Sequence, residues 1–200
     1  MFRKVESFDY ENVIQLISNK RAEVLADLKA YPKKIKFGLL STDIIDSTIA
    51  STVDNYNYQK VQLDCATYFD TITETLTIDY FQEIVNSGRG FVMVDDDDYI
   101  AGFAYLEHAV EYKVNEIKML VLDTEYKPYW EGFIKQIEAY SIRQEAMKGV
   151  SIWLPAVSVL WQEPYLETLK LLDFNIISTT YTNDMYGFYT IQYLSKNDIK

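Results

Sequence analysis

The sequence predicts one α/β (α+β) domain over residues 1–200, with helices flanking a mixed, mostly antiparallel sheet. Three observations predict it. An amphipathic helical pattern lies near the N-terminus, a hairpin pattern opens the second half, and strands then alternate with helices. Hydrophobic residues make up 48% of the chain and aromatic residues 15%, so we expect a packed core and not a disordered chain.

The first element is a short strand over Phe2–Val5, and a helix follows over Phe8–Leu28. Spacings of three and four between apolar residues predict an amphipathic helix. The apolar residues are Val13, Leu16, Ile17, Val24, Leu25 and Leu28. Tyr31-Pro32 is expected to end the helix, because the residue before proline avoids the helical region.

Residues 37–86 form an extended insertion that is partly helical by pattern. Ser41 or Thr42 could cap a short helix, and Asp54–Asn57 has the composition of a turn. Leu63–Val85 fits helix and strand templates equally. Its end favours a helix, which Asn86-Ser87-Gly88 stops.

The second half begins with a hairpin. Gly90–Val94 is a strand, Asp95–Asp98 is an acidic turn, and Tyr99–His108 is the returning strand. Val114–Leu122 alternates and then becomes continuously apolar, which predicts a central strand buried on both faces.

The remaining elements alternate. Lys127-Pro128 starts a helix that Gly149 closes, because proline suits the first turn. Its apolar side is Phe133, Ile134, Ile137, Tyr140 and Met147. The following elements are a strand over Val150–Leu154, a helix from Pro164 to Leu172, and strands over Phe174–Thr182 and Tyr186–Leu194, which turn at Asn183-Asp184. This order implies one parallel pair in the sheet.

The charge restricts the partners. A formal net charge of −11 repels phosphate backbones and anionic lipids, so we expect neither nucleic acid nor membrane binding. Lys33, Lys34 and Lys36 are the one basic patch, which a solvated helix end explains equally well. With no apolar leader pattern and Cys65 as the single cysteine, we expect a cytoplasmic protein.

Three stretches resemble the GNAT N-acetyltransferase superfamily. Ile100–Tyr105 is similar to its third strand, Asn115–Val121 is similar to its fourth strand, and Leu169–Phe174 is similar to its closing helix, with Asp173 in place of a glycine. The resemblance covers about residues 88–194, with the first strand and helix added.

The resemblance implies an acetyl-CoA-dependent acyltransferase. Strands four and five of this fold splay apart past Met119-Leu120-Val121, and the backbone of Met119, Leu120, Val121 and Leu122 would hold the pantetheine arm. Amides from Lys127 to Gly132 would face the pyrophosphate, and Gln162 stands where an asparagine is frequent. Glu116 would be the base for a primary amine; the alternative is a solvated glutamate at the strand edge.

The sequence departs from the family pattern in two places. Between strand four and the next helix, only Gly132 remains of the usual glycines, and Tyr129 and Trp130 would crowd a phosphate. Leu169 stands where many members carry a tyrosine acid. Tyr165 lies one turn earlier and could supply the phenol, or could be a packed tyrosine.

Other residues have competing interpretations. His108 is a proton acceptor at the splay or a surface histidine, and it is the only histidine that Cys65 could pair with. Asp95–Asp98 is a cation site or a solvated hairpin tip. Trp153 and Trp161 line an acceptor pocket, form a homodimer surface, or belong to the core. No zinc signature is present, so no metal is expected.

Two functions remain open at this stage. One is transfer of an acetyl group from acetyl-CoA to the primary amine of a small molecule or peptide, where the acidic chain favours a cationic acceptor. The other is a non-catalytic module of the same fold that binds a protein partner or small ligand. Residues 37–86 would cap the cleft in the first case or form an interface in the second.

Overall fold

The computed structural model describes residues 1–30, 55–109, 113–145, 147–155, 159–182 and 188–194. The strands are β1 (Phe2–Lys4), β2 (Gly90–Val94), β3 (Ile100–Ala109), β4 (Val114–Leu122), β5 (Val150–Pro155), β6 (Asn175–Thr182) and β7 (Phe188–Leu194). The helices are α1 (Tyr10–Ala30), α2 (Asn55–Thr75), α3 (Ile78–Ser87), α4 (Lys127–Gln144) and α5 (Val159–Leu171).

The seven strands form one sheet in the order β1-β2-β3-β4-β5-β7-β6. Every pairing is antiparallel except that of β4 with β5, which is parallel. This confirms the predicted mixed sheet with one parallel pair. The hairpin of β2 and β3 is also confirmed, with Asp95 accepting backbone hydrogen bonds from Asp97 and Tyr99 in its turn.

Helices cover both faces of the sheet. On one face, Phe81 and Tyr80 of α3 pack their rings against Phe103 and Tyr105 of β3. Successive side chains of a strand alternate between the two faces of the sheet. Phe91 of β2 lies on the face opposite to Phe103 and Tyr105. Its ring lies 4.9 Å from that of Tyr140 in α4. Helix α1 contacts β3 and β4, and α5 contacts both α1 and α4.

Helix α1 follows the predicted pattern. Val13, Leu16, Ile17 and Val24 are buried, as their spacing requires. A short 3-10 turn over Ser7–Asp9 precedes the helix, and the buried Asp9 carboxylate accepts hydrogen bonds from the Arg3 guanidinium at 2.7 and 2.8 Å. This pair fixes β1 to the start of α1.

The insertion contains two helices where it is described. Asn55 to Asn57 lie in the first turn of α2, so the predicted turn at Asp54–Asn57 is wrong from Asn55 onward. The pattern of Leu63–Val85 fits helix and strand templates equally, and the structure shows helix there. The buried residues of α2 recur every three or four positions, as in an amphipathic helix. They are Cys65, Tyr68, Phe69 and Ile72, and Leu76 is buried directly after the end of the helix. Ser41, Thr42 and the Lys33–Lys36 patch lie outside the described residues.

Helix α3 has a side-chain cap at its start and ends where Asn86-Ser87-Gly88 predicted. The Thr77 side chain accepts a hydrogen bond from the Tyr80 amide, and the helix ends at Ser87. Gly88 follows with φ 64°, a left-handed conformation that glycine adopts without steric cost.

Two boundaries in the second half differ from the prediction. Helix α4 starts at Lys127 with proline in its first turn, as predicted, but ends at Gln144, so Met147 lies outside it. Helix α5 starts at Val159, five residues before Pro164. Proline suggested a start because it is favoured there, yet a helix can carry it internally at a cost in stability.

The end of α5 confirms one detail of the family pattern. Asp173 has φ 58°, so it adopts the left-handed conformation that a glycine would favour. The Phe174 amide donates to the Leu169 carbonyl at 2.9 Å and the Asp173 amide donates to the Lys170 carbonyl at 3.1 Å. These two bonds form a Schellman motif.

In the described part of the chain, no helix combines the length and apolar character that crossing a bilayer requires. The turn predicted at Asn183-Asp184 lies outside that part.

Candidate active site

The ladder between β4 and β5 is short. The strands pair only where Asn115, Glu116 and Ile117 face Val150, Ser151 and Ile152. Beyond this point β4 stays with β3 as far as Leu122, and β5 stays with β7 as far as Pro155. The two strands therefore part after Ile117, four residues earlier than the divergence past Val121 that the resemblance implied.

A β-bulge explains where the strands part. Tyr105 of β3 pairs with Met119 and Leu106 pairs with Ile117, so Lys118 is an extra residue without a partner in β3. A bulge bends its strand and increases its twist. The bend falls at the residue that follows the last β4–β5 pair. We call the gap between the diverging ends of β4 and β5 the slot.

Glu116 lies at the closed end of the slot. Its side chain is 13% exposed and forms an ion pair with Lys118. The Lys118 ammonium also lies 3.9 Å from Glu107, which faces Glu116 across the β3–β4 ladder. A carboxylate beside the slot is therefore present where the sequence placed it. Its catalytic role stays a prediction.

Tyr165 lies at the other end of the slot. Its side chain is buried and its hydroxyl accepts a hydrogen bond of 3.2 Å from the Leu122 amide. Burial raises the pKa of this phenol, although the Leu122 amide works in the opposite direction. The ring of Trp130 in α4 lies 4.9 Å from the Tyr165 ring. Tyr165 and Trp130 thus close the far end of the slot.

Glu116 and Tyr165 are far apart. Tyr165 bonds a backbone group six residues along β4 from Glu116, and a strand rises about 3.3 Å per residue, so the separation is on the order of 20 Å. The structure therefore does not bring the two predicted catalytic residues to one reacting centre. Tyr165 instead pairs with Leu122, one of the residues expected to hold pantetheine.

The start of α4 offers few donors for an anion. The Asp123 carboxylate accepts from the Glu125 amide at 2.9 Å, and the Tyr126 amide donates to the Asp123 carbonyl at 3.1 Å. The Lys127 amide donates to Thr124, and Pro128 has no amide proton. Helix N-termini bind phosphate through free amides. The amides at 125–127 are therefore already bonded.

The lysine side chains near this helix start are also already paired with glutamates. The Lys127 side chain pairs with Glu167, and Lys135 pairs with Glu131 at 2.5 Å. Asp123 accepts a second hydrogen bond from the Tyr99 hydroxyl at 2.7 Å, and burial together with this carboxylate raises the pKa of Tyr99 to about 12. The edge of β4 past Ile117 thus has no strand partner in β5, whereas the amides at 125–127 and the side chains of Lys127 and Lys135 already have partners.

The aromatic residues and the glycine of this segment have other positions than expected. Tyr129 is 60% exposed, whereas Trp130 is fully buried and donates to the Asp123 carbonyl at 2.9 Å. A Cβ atom added to Gly132 would lie 3.5 Å from the Phe2 ring, so Gly132 faces β1. The side chains of Gln162, Trp153 and Trp161 lie outside the described residues.

A cavity of about 540 Å³ adjoins the far end of the slot. It lies between α1 and the β4–α4 connection, and its lining includes Lys20, Glu23, Asp123 and Thr124. The buried Lys20 ammonium contacts Glu23 at 3.1 Å and Thr124 at 2.5 Å. Burial lowers the pKa of Lys20, although Glu23 counteracts it.

His108 belongs to a different network, on the α4 face. Its Nδ1 lies 2.8 Å from Asn115 Oδ1, and its Nε2 contacts Arg89. Asn115 also donates to Glu145 at 2.5 Å, and Arg89 donates to Glu145 at 2.9 Å. His108 therefore does not face the slot, and it lies across the sheet from the layer in which Cys65 is buried.

No metal site is found where the structure describes the chain, since no three His, Cys, Asp or Glu side chains there could hold an ion. Asp95 instead accepts hydrogen bonds within the hairpin and from the Tyr126 hydroxyl at 2.5 Å, which lowers the pKa of Asp95.

Four residues of this region were not singled out from the sequence. Lys118 is the bulge, Asp123 bonds the start of α4, Lys20 borders the cavity, and Ser151 lies beside Glu116. Asp123 caps the short 3-10 turn Thr124–Tyr126 that leads into α4, and an aspartate directly after an apolar strand is a signal that would have identified this cap. Strand register and tertiary contacts determine the positions of Lys118, Lys20 and Ser151, so the sequence pattern alone does not identify them.

Comparison with solved structures shows which fold this is. A probable acetyltransferase from Staphylococcus epidermidis matches with a TM-score of 0.58 and 11% identity, covering 99% of each chain. An acetyltransferase of the GNAT family from Streptococcus agalactiae matches with a TM-score of 0.57 and 12% identity, over 99% of this chain and 95% of that one.

A variant of the spermidine N-acetyltransferase SpeG from Vibrio cholerae matches with a TM-score of 0.54 and 11% identity, over 98% of this chain and 95% of that one. No known family model matches the sequence, and no curated protein sequence matches it. At such low identity the similarity is one of fold.

Proposed function

We propose, starting from the GNAT N-acetyltransferase fold of this chain, that it transfers an acetyl group from a pantetheine thioester to a primary amine. The observation that carries this proposal is the opening of the β4–β5 ladder after Ile117. Between Lys118 and Val121, the backbone groups of β4 that face away from β3 have no strand partner among the described residues. Backbone groups without a strand partner are available to form hydrogen bonds with a ligand.

The donor would be acetyl-CoA, whose thioester supplies an activated acyl group. The free edge of β4 would bind its pantetheine arm through backbone hydrogen bonds. The amides at 125–127 would not contribute, because Asp123 and Thr124 already bond them. Donor affinity would therefore come from the arm, and the diphosphate would add little.

Glu116 would accept a proton from the acceptor amine at the closed end of the slot. Most of its side chain is screened from solvent, and the ammonium of Lys118 pairs with it. A cationic acceptor would take the position of that ammonium between Glu116 and Glu107. The formal net charge of −11 would draw such an acceptor toward the protein. A small amine or a basic peptide meets these requirements.

A second function is favoured by the far end of the slot. Tyr165 accepts a hydrogen bond from the Leu122 amide, and Asp123 accepts one from an amide at the start of α4. Side chains of this protein therefore already bond backbone amides that a cofactor would otherwise bind. A non-catalytic module that binds a protein partner or another small ligand would have this arrangement. The two functions differ in one measurable property, which is binding of the acyl donor.

Thermal shift with acetyl-CoA and with S-acetylpantetheine tests the proposal. At a hundred times the dissociation constant, a ligand stabilises the fold by about 2.7 kcal/mol, which moves the midpoint by a few degrees. We expect a shift with both compounds, since the arm carries the affinity. No shift with either at millimolar concentration supports the non-catalytic module.

The variant Glu116→Gln then tests the base. It should retain the thermal shift and lose turnover by at least about a hundredfold, the lower range for general base catalysis. Glu107→Gln is the matched control, because Glu107 contacts the same lysine and should alter acceptor KM more than kcat. Unchanged turnover in Glu116→Gln removes Glu116 from this role.

A further inference from the structure

Ser151 has a buried hydroxyl without a partner. The residue lies in β5 and is fully buried, and its Oγ makes no hydrogen bond to any residue that the structure describes. Buried polar side chains almost always have a hydrogen-bond partner, because leaving water without one destabilises the fold. Such an atom indicates a bound water or ligand group.

The position of Ser151 is informative. It pairs with Glu116 across the β4–β5 ladder, one pair before the ladder ends at Ile117 and Ile152. Paired residues in neighbouring strands point to the same face. The Ser151 hydroxyl and the Glu116 carboxylate therefore lie side by side on the face of the sheet that α1 and α3 cover, at the closed end of the slot.

The two groups are chemically complementary but do not bond each other. Glu116 has the Lys118 ammonium as its partner, and Ser151 Oγ makes no hydrogen bond to Glu116. A water about 2.8 Å from each of two oxygens can bridge side chains on neighbouring strands that do not bond each other directly. A water needs two to four polar partners, and this pair provides the first two.

We propose that Ser151 is a positioning residue in the acceptor site, where its hydroxyl and the Glu116 carboxylate hold one water between them. This proposal rests on the proposed function for its chemical consequence. The acceptor ammonium passes one proton to this water, and the water passes one proton to Glu116. The products are a neutral amine, a protonated Glu116 and an unchanged water, so atoms and charge balance before the amine attacks the thioester.

The test combines a crystal structure with two variants. In a wild-type crystal structure at high resolution, we expect a water within about 3.2 Å of both Ser151 Oγ and a Glu116 carboxylate oxygen. In Ser151→Ala the water should be absent. Its kcat should fall about tenfold and the pH profile of kcat should move, while the thermal shift with acetyl-CoA stays unchanged. Ser151→Thr, which keeps the hydroxyl, should restore kcat.

Ser141→Ala is the matched control. Ser141 is also a fully buried serine, but it lies on the α4 face and bonds the Ile137 carbonyl and Asn115. Its alanine variant should lose stability and keep the pH profile. Ser151→Ala should lose less stability than Ser141→Ala, because the Ser151 hydroxyl bonds only the water, whereas the Ser141 hydroxyl bonds two protein groups.

The outcomes separate this proposal from the proposed function. If wild type neither binds acetyl-CoA nor turns over any amine, the proposed function is wrong. The crystal structure still shows whether Ser151 and Glu116 hold a water between them. An empty position between Ser151 and Glu116 in clear density overturns the proposal. Full activity with an unmoved pH profile in Ser151→Ala overturns it as well.

Discussion

The Tyr165 hydroxyl accepts a hydrogen bond of 3.2 Å from the Leu122 amide, and this contact connects α5 to the far end of β4. This contact matters because the Leu122 amide lies on the edge of β4 that no longer pairs with β5. One side chain thus occupies the last backbone donor along the slot. The length of donor arm that the slot accepts therefore depends on Tyr165.

Tyr165→Phe tests this dependence. The variant removes the acceptor of the Leu122 amide, and a buried donor left without a partner lowers the free energy of unfolding by about 1–3 kcal/mol. Acetyl-CoA should bind more tightly, because the amide becomes available to the arm. Urea denaturation and calorimetry measure the two effects. Weaker or unchanged binding would show that the arm does not reach Leu122.

Asp123→Asn tests the charge at the start of α4. Asparagine can still accept a hydrogen bond from the Glu125 amide, so the helix cap is preserved. Removal of the negative charge should tighten acetyl-CoA binding about fivefold, which corresponds to roughly 1 kcal/mol.

The comparison with S-acetylpantetheine is the control for Asp123→Asn. This compound has no diphosphate, so its affinity should not change. Titration calorimetry with both compounds makes the distinction. Equal gains for the two donors would mean that the variant acts on the arm and not on the phosphates.

Gly132→Ala tests whether this glycine is needed for cofactor approach. Its added methyl group would meet the Phe2 ring at an ordinary contact distance of 3.5 Å. Alanine also has higher helix propensity than glycine, so stability should rise by about 0.5–1 kcal/mol. Acetyl-CoA binding should not change. A clear loss of binding would place a phosphate group close to Gly132.

Stability should fall in acid because of Glu145. Burial works to raise the pKa of Glu145, but hydrogen bonds from Asn115 and Arg89 outweigh it, and the pKa lies below its ordinary value of 4.5. A lowered folded-state pKa stabilises the protein above the unfolded pKa, and this contribution is lost as the pH falls through the folded pKa. The loss should therefore occur below about pH 4.5.

Glu145→Gln is the control for that pH dependence. Chemical denaturation across pH 3–7 should show a shallower decline for the variant than for wild type in the acid range. Parallel curves would assign the acid sensitivity to other carboxylates.

The sequence predicted the sheet well because its signals there are local. The acidic turn at 95–98, the apolar run of β4 and the proline at the start of α4 each specify one boundary without reference to the rest of the chain. Asp173 also stood in place of a glycine, and its left-handed φ confirms that correspondence.

The site was less predictable because it depends on register. The bulge at Lys118 is visible only when β3 is paired with β4, and the pairing of Ser151 with Glu116 requires the parallel ladder. Pro164 predicts a helix start because proline favours that position, although α5 carries it internally. Tertiary packing decided each of these cases.

Hydrogen–deuterium exchange with and without acetyl-CoA tests the central claim most directly. If the slot receives the donor arm, amides of residues 118–121 in β4 and 153–154 in β5 should become protected when the donor binds, as the arm supplies partners that the ladder lacks. Unchanged exchange at both segments under saturating donor would contradict the account, and so would protection confined to the cavity beside Lys20.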